Sequence, residues 1–164
     1  MSARAETLAR QFEDAHQELL TLAESLTDDQ WRTHVPAEQC TVAALVHHVA
    51  VAYPFEIRAF TAIANGAPRA PLTWETLAHL NAEDAGVHAD CDRTETLALL
   101  TRNATQAAAA VRSFTDDQLA RSGAYLEGMP ALTVDQWLRH VLVGHITGHL
   151  ASIRAVIGLP SGGV

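Results

Sequence analysis

Basic clusters, paired cysteines and long apolar runs are all missing from this chain of 164 residues, and each absence removes a class of function. The 11 basic residues stand against 19 acidic ones, for a formal charge of −8, and no run of lysines or arginines occurs. Nucleic-acid binding and attachment to an acidic membrane surface therefore lose their usual electrostatic footprint. Cys40 and Cys91 are the only cysteines, too few and too isolated for a disulfide framework or a cysteine zinc site. Each is expected as a reduced packing residue. Arg4, Glu6, Arg10, Glu13 and Asp14 interrupt the first apolar steps, so no signal-peptide core is expected, and no apolar span is long enough to cross a bilayer. The expectation is a soluble, cytoplasmic protein. Glycine (9) and proline (6) are sparse, and no useful stretch alternates with period two, which leaves little room for sheets.

What is present is helical. Hydrophobic residues make up 48% of the chain, mostly alanine, leucine and valine. Leu8, Phe12, Ala15, Leu19, Leu22 and Leu26 recur at three and four, predicting a first helix over 3–26. Thr27 and Gln30 form a capping box for a short turn ending before Pro36. A second helix is predicted over 41–64, with Val42, Leu45, Val46, Val49 and Tyr53 on one face and a bend at Pro54. Asn65-Gly66-Ala67-Pro68 is a stop and loop. Thr73 can cap a short helix to about Ala85, and Asp92 with Glu95 can open a long one to about Phe114. Thr133 and Gln136 open the last helix, which should end at Gly158-Leu159-Pro160. The fold class is all-α: one domain spanning 1–164, a four-helix bundle with short accessory helices. Ser25 to Trp31 and Ser113 to Leu119 agree at five of seven positions, and each is followed by a Thr-Val helix start at Thr41 and Thr133. Two related helix pairs with approximate twofold character would produce this echo.

His145 and His149 lie one turn apart in the last helix. On a wheel of about 100° per residue they fall within the stripe of Val134, Leu138, Val141, Leu142, Ile153 and Val156. A single histidine on an apolar face is usually satisfied by a backbone carbonyl. Two stacked there suggest a shared metal ion, because imidazole nitrogens need partners when buried. Ile146 follows His145, which excludes the His-Glu-x-x-His protease motif. An open catalytic site of this kind normally has three protein ligands, so a third is required. His140 is nine residues from His149, roughly opposite on the wheel, and is expected to point away. His34, His79 and His88 fall in less regular parts and are expected to be solvated or locally bonded. His16 should sit beside the first helix's apolar stripe. His47 and His48 remain; periodicity does not separate them, although Leu45, Ala52 and Phe55 lean toward the His48 side.

The segment LTDDQWRTHVPAEQCTVAALVHHVAVAY resembles the first metal-binding segment of the DinB-like superfamily, in particular its mycothiol-dependent maleylpyruvate isomerase branch. The segment LTVDQWLRHVLVGHITGHLASIRAVIG is similar to that family's closing helix. The resemblance implies a DinB-like four-helix bundle in which His48, His145 and His149 ligate one divalent ion, the first counted six residues after Val42. It departs at Cys40, where the family usually has tryptophan. Isomerases of the branch carry a further C-terminal domain, whereas the closing-helix motif lies at the end of this sequence. The resemblance therefore points to the fold and metal site more than to maleylpyruvate isomerisation.

Three imidazoles suit zinc first, with nickel, iron or copper open. The resemblance implies a metal-dependent transferase that joins a low-molecular-weight thiol, such as mycothiol, to a small electrophile. A metal-activated-water hydrolase and a non-catalytic metal- or ligand-binding bundle, homodimeric through an apolar helix face, are the other readings. Glu56, His47 and Arg154 can approach such a site, but each is expected on a solvated face.

Overall fold

Each long helix begins where a side chain satisfies a free backbone N–H and continues as long as apolar residues recur at helical spacing. The computed structural model describes residues 2–68 and 73–159. Helix α1 (Ala3–Ser25) starts at Ser2, whose side chain accepts from the amide of Ala5. It is followed by α2 (Asp28–Trp31), closed by the Thr27/Gln30 capping box, and by strands β1 (His34–Val35) and β2 (Cys40–Thr41). Helix α3 (Val42–Ala64) opens on the Thr41 cap and remains one helix on both sides of Pro54. Next come α4 (Trp74–Val87), capped by Thr73, and α5 (Arg93–Ser113), capped by Asp92. Helix α6 (Asp116–Ala120) carries the Thr115/Gln118 capping box and leads into β3 (Ser122–Gly123) and β4 (Leu132–Thr133). The chain closes with α7 (Val134–Trp137), a π-helical turn (Leu138–Val143) and α8 (Gly144–Ile157), ended by Gly158 at φ 75. Pro160, the expected final stop, lies outside the described residues.

The sequence echo corresponds to a structural one. Helix, capping box, antiparallel strand pair and Thr-capped helix occur in that order twice. In both copies the first amide of the new helix is bonded back across the strand pair at 2.9 Å, Val42 to the Thr33 carbonyl and Val134 to that of Arg121. The strands themselves are a departure from the purely helical expectation. Two residues are too few to display a period-two pattern, so no sequence signal announces them.

Helix α5 packs against α1 and α3, and the closing helix lies across both of those. Phe12, Leu19, Val49, Tyr53, Phe60, Leu100, Val111 and Trp137 are all buried between them. The stripe on the closing helix differs from the wheel: Ile146 and Leu150 are buried, while Val141 and Val156 are half-buried. The π turn causes the shift, because its i→i+5 bonding takes residues on either side out of α-helical register. At the far end, β3 lies hard against α3, where a Cβ on Gly123 would meet Ile63 Cγ2 and the Ala67 carbonyl, both at 3.0 Å. No helix among the described residues is long and apolar enough to cross a membrane.

Ion pairs tie the outer faces. Arg112 bonds Glu6 at 2.8 Å and grips Glu13 with both terminal nitrogens at 2.7 Å. Asp135 accepts from Arg4 at 2.9 Å and Arg139 at 3.1 Å. The Arg112 bonds hold Glu6 and Glu13 below the usual carboxylate range. Burial alone would raise Asp135, but its two arginines outweigh it and hold it low. A carboxylate depressed in the folded state contributes stability above its unfolded pKa and loses it as pH falls through the folded value. Urea midpoints are therefore expected to fall as pH drops below about 4.5, near the ordinary carboxylate value. Arg112→Met should flatten that slope by freeing Glu13 and leaving Glu6 only its bond to Arg10. An unchanged slope would assign the acid sensitivity to other groups.

Candidate metal centre

His48 stands seven residues after the Thr41 cap, which brings its ring to the side of α3 that meets α8. There His48 Nε2 lies 3.0 Å from His145 Nε2, across 97 residues of sequence. Ring centroids of His48 are 4.9 Å from His145 and 5.4 Å from His149, and those two are 4.4 Å apart. Interplanar angles of 85°, 85° and 64° turn the rings edge to face rather than stacking them. One ligand nitrogen from each residue falls within 4.8 Å of the others, a set that can hold a metal ion. His48, selected over His47 by the family pattern, is thus the α3 member of the cluster.

The polar bookkeeping fits a cation. The Nε2 nitrogen of His149 is buried without a hydrogen-bond partner. Two buried imidazole nitrogens at 3.0 Å are stable only with a proton or a cation between them. Behind the cluster stand two carboxylates. Glu56 Oε1 lies 2.9 Å from His145 Nδ1, and Glu38 Oε1 lies 3.1 Å from His149 Nδ1 while also accepting from Ser152 Oγ at 2.7 Å. A carboxylate at Nδ1 is the common support of a histidine whose Nε2 binds metal, since it sets ring orientation and tautomer. Burial, and then the neighbouring His145 and His149, depress His48 to about 4. Burial also lowers His149. Both carry free lone pairs at neutral pH, the form a cation requires.

Several expectations need correction. Glu56 is 3% exposed rather than solvated, because it lies two turns beyond His48 on the same face of α3. That i, i+8 relation was the signal that could have found it. Glu38 carries no such signal, since it sits in the turn between β1 and β2. His16 is buried against Phe12 and Tyr53 instead of lying beside the core. His140 stays out of the cluster but does not point away: the π turn leaves it exposed on the wall of the adjoining cavity. His47 stacks on His88 at 3.6 Å, and both address Asp84, at 3.4 Å and 2.8 Å. Their ligand atoms lie within 4.8 Å of one another, so this is a second group that could hold a metal ion. Arg154 pairs with Glu18, His34 and His79 are exposed, and Cys40 and Cys91 are free thiols. Burial pushes Cys40 up to about 11.

His48 and His145 also form part of the wall of a cavity of about 740 Å³ between α3, α4 and the closing helix. Val51, Phe55, Trp74, Leu77, Met129 and Val141 make its sides largely apolar.

Known structures share this architecture. YfiT from Bacillus subtilis, described as a probable metal-dependent hydrolase with an unusual four-helix bundle topology, is 22% identical with a TM-score of 0.74, covering 98% of this chain and 91% of its own. A mycothiol-dependent maleylpyruvate isomerase is 11% identical with a TM-score of 0.72 over 93% of this chain, which spans 63% of the isomerase. An uncharacterized protein from Clostridium difficile 630 is 14% identical with a TM-score of 0.72, over 94% and 96% of the two chains. At these identities the likeness is one of fold. No curated protein sequence matches the chain. The model of the DinB superfamily matches residues 11–153, a span that takes in both helix pairs and all three clustered histidines, and by that match the chain belongs to the DinB superfamily.

Proposed function

We propose that this protein is a metal-dependent transferase that adds a low-molecular-weight thiol of the mycothiol type to a small electrophile, with His48, His145 and His149 as ligands of one divalent ion, zinc by preference. The observation that carries the reading is that two of the three histidines belong both to the cluster and to the wall of an apolar cavity, so a further ligand arrives from the cavity side. A divalent ion there would supply the Lewis acidity that deprotonates a thiol at neutral pH. The chain's own residues do the rest. Glu56 and Glu38 orient His145 and His149 through their Nδ1 atoms, and neutral His48 completes the set. The apolar sides exclude water from the reacting groups and hold the electrophile.

A hydrolase on the same scaffold is the second reading. It is supported by the likeness to the Bacillus subtilis structure, which extends over 98% of this chain. Metal-loaded protein assayed with a panel of soft electrophiles separates the two. Turnover is expected to require both metal and thiol, and His48→Ala is expected to remove turnover and metal together. Turnover with water alone would move the assignment to the hydrolase; metal uptake with no turnover would leave a binding bundle.

A further inference from the structure

Among the described residues, the wall of the cavity beside the three histidines carries acids and histidines but no arginine. Glu56, Glu83 and Asp84 all line it. All 11 basic residues of the chain are arginines, and no described arginine reaches the lining. Seven of them are held elsewhere by partners of their own. Arg4 and Arg139 are held by Asp135, Arg112 by Glu6 and Glu13, Arg32 by Asp90, Arg93 by Asp28, and Arg154 by Glu18. Arg121 donates to the Ala64 carbonyl. His88, the cavity's other basic group near α4, is occupied by Asp84 at 2.8 Å. An open divalent ion on the histidines would itself ligate an anion, so this balance is that of the metal-free cavity.

We infer that the cavity admits an uncharged molecule with an apolar body and rejects carboxylates. A carboxylate entering it would leave water without gaining an arginine among the described lining residues, and would face Glu83 together with the histidine-paired Glu56 and Asp84 across apolar walls. An ester or hydrocarbon loses little on desolvation and gains contact with Phe55, Leu77, Met129 and Trp74. The inference rests on the function proposed above only in taking this cavity as the substrate site.

Trp74 provides the readout. It is 57% exposed at the cavity rim, whereas Trp31 and Trp137 are 3% and 1% exposed in the core. Methyl cyclohexanecarboxylate and cyclohexanecarboxylate, which do not absorb in the tryptophan region, are titrated against metal-free protein while emission is followed. The ester is expected to shift Trp74 emission and to bind the metal-free protein at least tenfold more tightly than the anion does, and Trp74→Phe should abolish the signal. Val87→Arg, at an exposed lining position, should bring the anion's affinity to within about threefold of the ester's. Equal or tighter binding of the anion, a signal that survives Trp74→Phe, no emission change with the ester, or no gain from Val87→Arg would each overturn the inference. Zinc uptake is measured separately by titration. Its failure would remove the metal-dependent reading and leave the charge preference intact, so the two failures are distinguishable.

Discussion

Alanine at His145 is expected to weaken divalent-metal binding by more than about 100-fold while leaving the helical circular dichroism almost unchanged. The first half of the prediction follows from removing one of three ligands. Even the loss of a residue that only supports a ligand typically costs about 10–100-fold in affinity. Glu56→Gln, which keeps the shape but removes the charge at His145 Nδ1, is expected to fall within that smaller range. The second half follows from packing. Ile146, Leu150 and Ile153 bury the closing helix independently of its histidines, and tertiary burial rather than the ion holds a helix of this length. Isothermal titration with zinc, paired with thermal melts of the metal-free protein, checks both halves. Unfolding of the metal-free protein at room temperature would show instead that the ion is structural.

The largest effect on stability is expected at Trp137. Its side chain is 1% exposed, its indole N–H donates to the Gly123 carbonyl at 2.8 Å, and its ring lies 5.7 Å from that of Tyr125, which in turn lies 5.5 Å from Phe60. Trp137→Ala should cost about 3–5 kcal/mol from lost contacts and the cavity left behind. Trp137→Phe keeps most of the volume but orphans a buried carbonyl, for a cost of about 1–3 kcal/mol. Urea unfolding measures both. The alanine variant should also weaken ligand binding, because Tyr125 and Leu126 line the cavity on this side. An alanine variant within 1 kcal/mol of the parent would mean that the β3–α3 packing survives without the indole.

The helices were legible because their signals are local. Ser2, Thr27, Thr41, Thr73, Asp92, Thr115 and Thr133 each cap a helix within three residues of themselves, and the apolar repeat runs on from there. The His145/His149 pair was legible for the same reason, being one turn of one helix. The choice of His48 over His47 was not, since both stand off the apolar face of α3; it came from the family pattern.

The sequence by itself therefore determined the all-α class, the helix boundaries to within a residue or two, the paired halves and two of the three clustered histidines. Only the tertiary structure decided that Glu56 and Glu38 stand behind those histidines, that His140 lines the cavity beyond a π turn, and that the described cavity wall carries acids without an arginine. The difference is one of range. Capping and periodicity act over a few residues and leave a mark in the chain, whereas the site is assembled from α3 and α8 across 97 residues, by burial that is not tied to any fixed spacing.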